Sequence, residues 1–495
     1  MTEFELKLEI PSDRLQRVAA AMREGKATRQ RLHARYFDTE EGTLAKHGLV
    51  VRVRKEGRRW VQTAKGPSGG LLERLEHNVE IAAPAAGEIP AVDLARHVGT
   101  PVGRKIFQAL KRKAHQTLPI PVLLYEVDVQ RLKRSVKFAD SVVEVALDQG
   151  RIVSSPRSLV LCELEVELKH GKPEHAVQLA RNWCAQYGLW LSSTTKSIKG
   201  QRLRGERCFG SAVSATAPEF DRHADGKQIV MAVLQSCLKQ VLANASEVAG
   251  GSVDPEHIHQ LRIGIRRLRT AIRELEPLAE GMEPAWEAPL VDAFRDLGRH
   301  RDDSWLALGL QPRIEAAGGP SVDTHHAGAD IPEPGDVVRL PAFQDALFCL
   351  IGFVHCAESG NAGSTHEIAK KVVRARLKKL RSQVVKDGTK FLSLDEMRQH
   401  RVRKRLKRLR YLTEFSAPLF SARGIRAFGS ALHPAQDALG LYNDELMALQ
   451  AYRRLASKDP QSWFGVGWLS ARRIPNASAC LHELEAFAQA RPFWG

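Results

Sequence analysis

An α+β N-terminal half followed by an all-α half is the fold class that this 495-residue sequence predicts. Three observations carry it. From residue 1 to about 200, charged and apolar residues alternate with a period of two. From about 226 onward the period is helical. Between them, at roughly 205–225, lies a Gly-, Ser- and Ala-rich join containing GSAVSATAP.

The strands are read from their alternation. Glu3, Glu5, Lys7 and Glu9 take one side of the first segment, and Phe4, Leu6, Leu8 and Ile10 the other. Arg52 and Arg54 alternate with Val51 and Val53. Glu144, Ala146 and Asp148 alternate with Val143, Val145 and Leu147. Glu163, Glu165, Glu167 and Lys169 alternate with Leu164, Val166 and Leu168. Short helical patterns interrupt them near 11–24, 92–112 and 173–187. Amphipathic helices follow near 226–247, 255–276, 341–357, 364–386 and 393–416. Asp254-Pro255 reads as an N-cap with Pro in the first turn, and Ser393…Glu396 as a capping box.

The chain holds 74 Lys+Arg against 57 Asp+Glu, a net charge of +17 that favours polyanionic partners. Residues 371–410 alone carry 16 basic and 3 acidic residues. No run of 18 or more apolar residues occurs, so no membrane span is expected, and MTEFELKLEI lacks the apolar core of a signal peptide. Seven scattered cysteines without C-x-x-C argue against a disulfide framework or zinc knuckle and for a reducing compartment. His325-His326, in the soft stretch 316–337, reads as a solvated loop pair rather than a metal site.

A solvated charged face explains any one of these strands. Several together call for more. Glu-x-Glu at 3 and 5, and Glu-x-Glu-x-Glu at 163, 165 and 167, put like charges ~7 Å apart on one face. Such rows repel unless cations sit between them. Facing glutamate rows suit Mg²⁺ or Mn²⁺, while Arg52, Arg54, Lys65, Arg74 and Arg131 suit phosphate oxygens. Carboxylates for a metal and cations for phosphate equip metal-assisted phosphoryl hydrolysis, provided the charged faces converge inside a closed sheet.

Glu3-Phe-Glu5-Leu-Lys7 resembles the E-x-E-x-K signature of the CYTH family, the triphosphate tunnel metalloenzymes. In order along the chain, Tyr36-Phe37-Asp38-Thr39, Arg52-Val-Arg54, Thr63-Ala-Lys65-Gly66, Arg74-Leu-Glu76, Ala146-Leu147-Asp148-Gln149-Gly150 and Glu163-Leu-Glu165-Val-Glu167-Leu-Lys169 resemble its further motifs. Thr195-Lys196-Ser197 falls near its closing segment. The resemblance covers about 1–203 and implies an eight-stranded antiparallel barrel forming a tunnel. It implies that Glu3, Glu5, Glu163 and Glu165 hold one or two divalent cations, Mg²⁺ or Mn²⁺, with Asp148 and Glu167 nearby. Lys7, Arg52, Arg54, Lys65, Arg131 and Lys196 would grip a triphosphate, and Arg74 and Glu76 would complete the wall. Thr195 replaces a frequent Ser, and Asn78 stands where a further Glu is common. The implied reaction is water attack on a terminal phosphorus. Thiamine triphosphate hydrolysis and ATP cyclisation are rivals within the family.

In the helical half, His259-Gln-Leu-Arg262-Ile-Gly-Ile-Arg266-Arg267-Leu-Arg269 recurs as His400-Arg-Val-Arg403-Lys-Arg-Leu-Lys407-Arg408-Leu-Arg410. Positions 0, +3, +7 and +10 fall within about 80° of one another on a helix, opposite the apolar +2, +6 and +9. Leu297-Gly298…Asp302 recurs as Leu439-Gly440…Asp444, so the unit is duplicated. Metal chelation by His259 and His400 ranks below anion binding, because the surrounding cations repel metal ions.

This pattern resembles the CHAD family over about 222–490. The resemblance implies two pseudo-symmetric four-helix bundles whose basic helices bind inorganic polyphosphate through His259, Arg262, Arg266, Arg269, His400, Arg403, Lys407 and Arg410. Lys371, Arg374 and Lys378, on a basic helix with Lys370, Lys379 and Arg381, would extend the groove. The organisation expected is a CYTH domain at 1–203, a linker at 204–221 and a CHAD domain at 222–490. The latter divides into repeat 1 at about 222–315, an insertion at 316–337 and repeat 2 at about 338–490. The tandem resembles bacterial inorganic triphosphatases that cleave triphosphate to pyrophosphate and phosphate. A non-catalytic polyphosphate-binding scaffold is the alternative. Few aromatics on the motif helices argue against sequence-specific nucleic-acid reading. A cytoplasmic location with polyphosphate granules is expected.

Overall fold

The computed structural model describes all residues except 1, 86–87, 89, 112–117, 325–331, 356–363 and 495, and leaves out the side chains of 301, 303 and 304. His325 and His326 therefore lie outside the described residues. Packing divides the chain into two units. Unit 1 comprises Met1–Val213, Leu242–Ser252 and Val338–Ala357; unit 2 comprises Ser214–Val241, Val253–Val337 and Glu358–Gly495.

Unit 1 is built on β1 (Thr2–Glu9), β2 (Thr28–Asp38), β3 (Val50–Glu56), β4 (Arg59–Pro67), β5 (Glu73–Ile81), β6 (Val122–Phe138), β7 (Ser141–Ser154), β8 (Arg157–His170) and β9 (Trp190–Ser192). The order β5-β4-β3-β2-β6-β7-β8-β1 closes on itself through β1–β5, with Glu3 opposite Arg74. The result is a closed, antiparallel, eight-stranded barrel; β9 continues along β1 beyond that closure, with Leu8 opposite Leu191.

The barrel is turned inside out. Phe4, Leu6 and Leu8 point outward and are buried, as are Val51, Val53, Val143 and Val145. An apolar exterior must be clad, and short helices do this. Helix α1 (Leu15–Arg23) lies against β6, and α2 (Thr43–Lys46) follows β2. Helix α3 (Pro101–Ala109) covers β4 and β5. Helix α4 (Pro173–Tyr187) covers β1 and β8, and α5 (Lys196–Arg204) covers β6, β7 and β8. Asp38, 2% exposed, accepts backbone N–H bonds from Thr39, Leu44 and Ala45, so its place in the Tyr-Phe-Asp-Thr motif is to fix α2. On β2 and β6 the parity reverses. Leu32, Ala34, Val127 and Val129 form an apolar wall of the interior, and Arg31, Arg35, Glu126 and Asp128 pair across the two strands.

The remaining helices are α6 (Gly226–Ala249), α7 (Pro255–Leu275), α8 (Glu287–Ser304), α9 (Gln311–Ala316), α10 (Pro334–Arg339), α11 (Pro341–His355), α12 (His366–Gly388), α13 (Glu396–Phe415), α14 (Ala422–Leu455) and α15 (Ser462–Ala488). A π-helical turn, Trp305–Leu310, links α8 to α9. Helix α11 belongs to unit 1, where it packs on α4 with Arg181 and Asp345 paired at 2.5 Å. Helices α7, α12 and α13 contact one another in unit 2. Asp254 caps α7 as expected. Helix α13 is capped by Asp395, which accepts from Arg398 N–H at 2.8 Å, rather than by Ser393, which ends a preceding 3₁₀ turn. Helix α6 is long and apolar enough to cross a membrane by length and composition, but 72% of its apolar window is buried inside the fold.

Gly150 sits where β7 passes β6, and a Cβ there would lie 2.1 Å from the Asp128 carbonyl oxygen. Gly150→Ala must displace backbone in the barrel wall. We expect a loss of about 3 kcal/mol in urea unfolding of the full chain; a loss within experimental error would show that the wall yields there.

Candidate functional site

The barrel encloses a cavity of about 1030 Å³. Its register stacks charges in rows. Lys7 lies opposite Glu165 and Glu5 opposite Glu167 on β1–β8, while Glu165 lies opposite Ala146 and Glu163 opposite Asp148 on β7–β8. Arg131 lies opposite Asp148, and Lys65 opposite Glu76. The small Ala146 side chain leaves room for Arg131 to reach Glu165 across it, at 2.5 Å.

All eight residues expected to grip phosphate or complete the wall line this cavity: Lys7, Arg52, Arg54, Lys65, Arg74, Glu76, Arg131 and Lys196. So do the expected metal ligands Glu3, Glu5, Asp148, Glu165 and Glu167. Glu163 does not. It is fully buried beneath the lining and paired with Lys196 at 2.6 Å and Lys199 at 2.9 Å. Lys199 also takes Glu9, at 2.6 Å. Sequence reasoning missed Lys133 and Glu144, which line the cavity and pair at 3.0 Å. Their parity with Arg131 and Asp148 was the available signal.

Lys196 is the hub. Its ammonium lies 2.7, 2.6 and 2.6 Å from carboxylate oxygens of Asp148, Glu163 and Glu165. Burial works against the charged form of each partner, yet Lys196 and Lys199 hold Glu163 down to about 2, and Lys196 and Lys7 hold Glu165 well below the usual carboxylate range. On β1 the balance reverses. Burial pushes Glu3 up to about 7 against the pull of Lys65 at 2.5 Å, with Glu5 and Glu76 adding to the rise. Burial and the Glu165 charge also raise Glu5, although Lys7 bonds to it. Of two neighbouring strands, β8 thus carries carboxylates held below the usual range and β1 carries carboxylates raised above it.

The donors fit a hard divalent cation in type: an all-oxygen carboxylate set in which Glu3 and Glu5 lack sufficient positive charge. In this structure each carboxylate turns to a lysine or arginine, and among the described residues no group of three or more His, Cys, Asp or Glu converges as a ready ligand cage. For phosphate, the buried Nε of Arg52 has no hydrogen-bond acceptor. Asn78 accepts from Thr63 at 2.7 Å and donates to Glu76 at 2.9 Å, holding the Glu76 side chain.

Unit 2 brings the two motif helices together. Lys407 of α13 is pushed down to about 5, first by burial and then by Arg266 of α7 and Arg403, with Asp444 opposing and Arg410 adding. Arg262, Arg266 and Arg269 surround the Phe294 ring, with guanidinium carbons 4.1, 5.0 and 5.5 Å from its centre. No sequence signal marked Phe294. His400 bonds through Nδ1 to Asn443 at 2.8 Å and is lowered by burial; His259 is exposed. Arg267 is buried and donates to the Thr216 carbonyl at 2.8 Å, a structural tether. Lys371, Arg374 and Lys378 are exposed on α12. The charges that weigh most on Lys407 and Lys404 come from α7 and α13, not from these three.

Comparison with known proteins finds two families along the chain, and the second match, at 232–453, includes Leu242–Ser252 and Val338–Ala357, which pack with unit 1. Residues 1–200 match the CYTH domain and residues 232–453 the CHAD domain. An inorganic triphosphatase from Haemophilus influenzae is 26% identical over 171 residues, 34% of this chain and 44% of that protein, so the match spans under half of the relative. The CHAD domain from the plant Ricinus communis superposes with a TM-score of 0.49 at 25% identity, over 57% of this chain and 98% of that one. An adenylyl cyclase homologue from Hippeastrum, described with a dominant triphosphatase activity, superposes with a TM-score of 0.28 at 16% identity, over 42% and 97%.

Removing Lys196 would leave three buried carboxylates without their common partner. Lys196→Met should cost about 3–5 kcal/mol in urea unfolding at neutral pH. A cost near zero would mean that the charge network does not depend on its hub.

Proposed function

Because the chain carries a CYTH domain followed by a CHAD domain, we propose that it hydrolyses inorganic triphosphate to pyrophosphate and phosphate with a divalent cation, Mg²⁺ or Mn²⁺, and binds inorganic polyphosphate through its helical domain. The observation that carries the first part is the near-balance of the cavity: ten basic and nine acidic side chains line it. Such an interior is almost neutral and holds a polyanion weakly by charge alone. Divalent cations on the acidic side would tip it positive, so metal and triphosphate should bind together.

The chemistry then divides by residue. Glu3, Glu5, Glu165 and Glu167, with Asp148 nearby, would hold the metal, which when bound neutralises phosphate charge and acidifies water. Glu163 supports Lys196 from below. Lys7, Arg52, Arg54, Lys65, Arg74, Arg131 and Lys196 hold the phosphate chain along the wall, fix the terminal phosphorus in line for water, and take up charge on the leaving pyrophosphate. Glu76 keeps Lys65 oriented, at 3.1 Å. The lining favours an inorganic chain over ATP or thiamine triphosphate. Its aromatic members are Tyr36 and His77, and Tyr36 is 4% exposed and stacked on Tyr125, so it offers no free face to a heterocycle.

For the helical domain, the support is the convergence of Arg266, Arg403 and Arg410 on Lys407. Burial, and then these like charges, press Lys407 toward its neutral form, and a bound polyanion would reverse that. This reading carries with it a cytoplasmic location alongside polyphosphate granules.

Phosphate release from tripolyphosphate, ATP, thiamine triphosphate and long-chain polyphosphate, with Mg²⁺ or Mn²⁺ and with chelator, tests the enzyme. Tripolyphosphate should be the preferred substrate, and Glu3→Ala with Glu5→Ala should lower turnover by about a thousandfold or more. No turnover by the wild type would leave the scaffold reading. Reversing charge with Arg262→Glu and Arg403→Glu should abolish retention on immobilised polyphosphate and spare triphosphate turnover.

Binding of long-chain polyphosphate at pH 7 should draw in about one proton as Lys407, faced by Arg266, Arg403, Arg410, Asp444 and His400, regains its charge. Affinity should therefore fall as pH rises. Calorimetry in buffers of different ionisation enthalpy measures the uptake; Lys407→Met should remove it. Equal heats in all buffers would exclude a neutral Lys407.

A further inference from the structure

A second basic pocket lies in unit 2, on a different face of motif helix α13 from the His400, Arg403, Lys407 and Arg410 stripe. It has a volume of about 360 Å³ and is walled by Arg273 of α7, Arg376 and Lys379 of α12, and Arg401, Arg405 and Arg408 of α13. Glu274, Leu380 and Gln383 complete the lining. On α13 these arginines stand at +1, +5 and +8 of the motif, centred about 150° round the helix from the +0, +3, +7 and +10 stripe. On α12 they occupy a different face of the helix from Lys371, Arg374 and Lys378.

The positive charges here exceed their partners. Arg408 pairs with Glu274 at 3.2 Å, Arg405 with Asp387, and Arg273 with Glu287 at 2.5 Å. Among the described residues Arg376, Lys379 and Arg401 have no carboxylate partner. Burial lowers the Arg408 guanidinium, with Arg273 and Arg405 pushing further against Glu274. Three elements thus converge six cations on one small space, a cost that a solvated helix face avoids by spreading them. Glu287 marks a boundary. It binds Arg269 of the motif stripe at 2.8 Å on one side and Arg273 of the pocket on the other.

We propose that this pocket is a separate binding site for a compact inorganic oligophosphate, a chain of two or three phosphates. Its size is at the low end of ligand pockets, about 300–1,000 Å³. Its lining holds a single apolar side chain and no aromatic ring, so nothing would receive a nucleobase. Guanidinium forks from three helices, with an ammonium from one of them, suit several phosphate groups at once, where a lone orthophosphate would engage only a few of them. The site does not require the motif groove to bind polyphosphate, and it stands whether or not the barrel is catalytic.

Arginine protection tests it on the full chain, in chelator to stop turnover. Phenylglyoxal modification is mapped by peptide mass spectrometry with tripolyphosphate, orthophosphate or long-chain polyphosphate present. Tripolyphosphate should protect Arg376 and Arg401 severalfold, more than orthophosphate at equal concentration, and should still do so in the Arg262→Glu, Arg403→Glu variant. In calorimetry, Arg376→Glu with Lys379→Glu should remove one tripolyphosphate site and leave the others. No protection in the wild type overturns the proposal, whatever the variants do. Protection by orthophosphate alone overturns the ligand class. Protection only by long chains, or its loss in the motif variant, makes the pocket the end of one continuous groove and overturns a separate site.

Discussion

Mutual compensation of charge inside the barrel is the constraint on which unit 1 depends. Lys196 sits within 2.7 Å of Asp148, Glu163 and Glu165; Arg131 bridges Asp148 and Glu165 again, Lys7 joins Glu165 to Glu5, and Lys65 bridges Glu3 and Glu76. Buried ionic networks of this kind rarely stabilise a fold more than apolar packing of the same volume would. Stability must then come from outside. Leu6, Leu8, Val51, Val53, Val143 and Val145 are all 0% exposed on the outer face, and the cladding helices follow from that requirement. On the proposed function, the ionic interior would be retained for the metal and phosphate it binds.

Unit 2 handles charge the opposite way. Burial first, then the charges of Arg266 and Arg403 with Arg410 adding, push Lys407 down to about 5, and Arg262, Arg266 and Arg269 are braced on a phenyl ring. A barrel that compensates its charges internally needs a further cation to favour a polyanion. A helical surface that leaves them uncompensated does not. The two domains would therefore differ in metal dependence toward the same class of ligand.

Much of this was legible in the sequence because a strand has only two faces. Once Glu3, Glu5 and Lys7 share a parity, closing the sheet sends all of them inward together, and the same holds for Arg52 with Arg54 and Glu165 with Glu167. Depth along the strand is not legible: Glu163 shares the parity but lies beneath the cavity, because α5 brings Lys196 and Lys199 over it. Helices are harder. A basic helix offers several faces, and which neighbour covers each is decided by tertiary packing. Arg376 and Lys379, not Lys371, Arg374 and Lys378, turn toward α13. Phe294 and Asn443 carried no pattern at all, since each matters only through the motif residue it touches.

The duplicated motif makes the same point from within one chain. Position +8 is Arg267 in one copy, buried and tied to a backbone carbonyl, and Arg408 in the other, on the wall of a pocket. Position +3 is Arg262 over Phe294 in one copy and Arg403 beside Asp444, at 3.4 Å, in the other. Position 0 is exposed as His259 and half-buried on Asn443 as His400. The barrel repeats the lesson with glutamates: against its burial Glu163 is held down to about 2 by Lys196 and Lys199, while burial, with Glu5 and Glu76 adding, pushes Glu3 up to about 7. Equal residues at equal spacing therefore mark where chemistry is available. Which copy performs it is set by the next element packed against it.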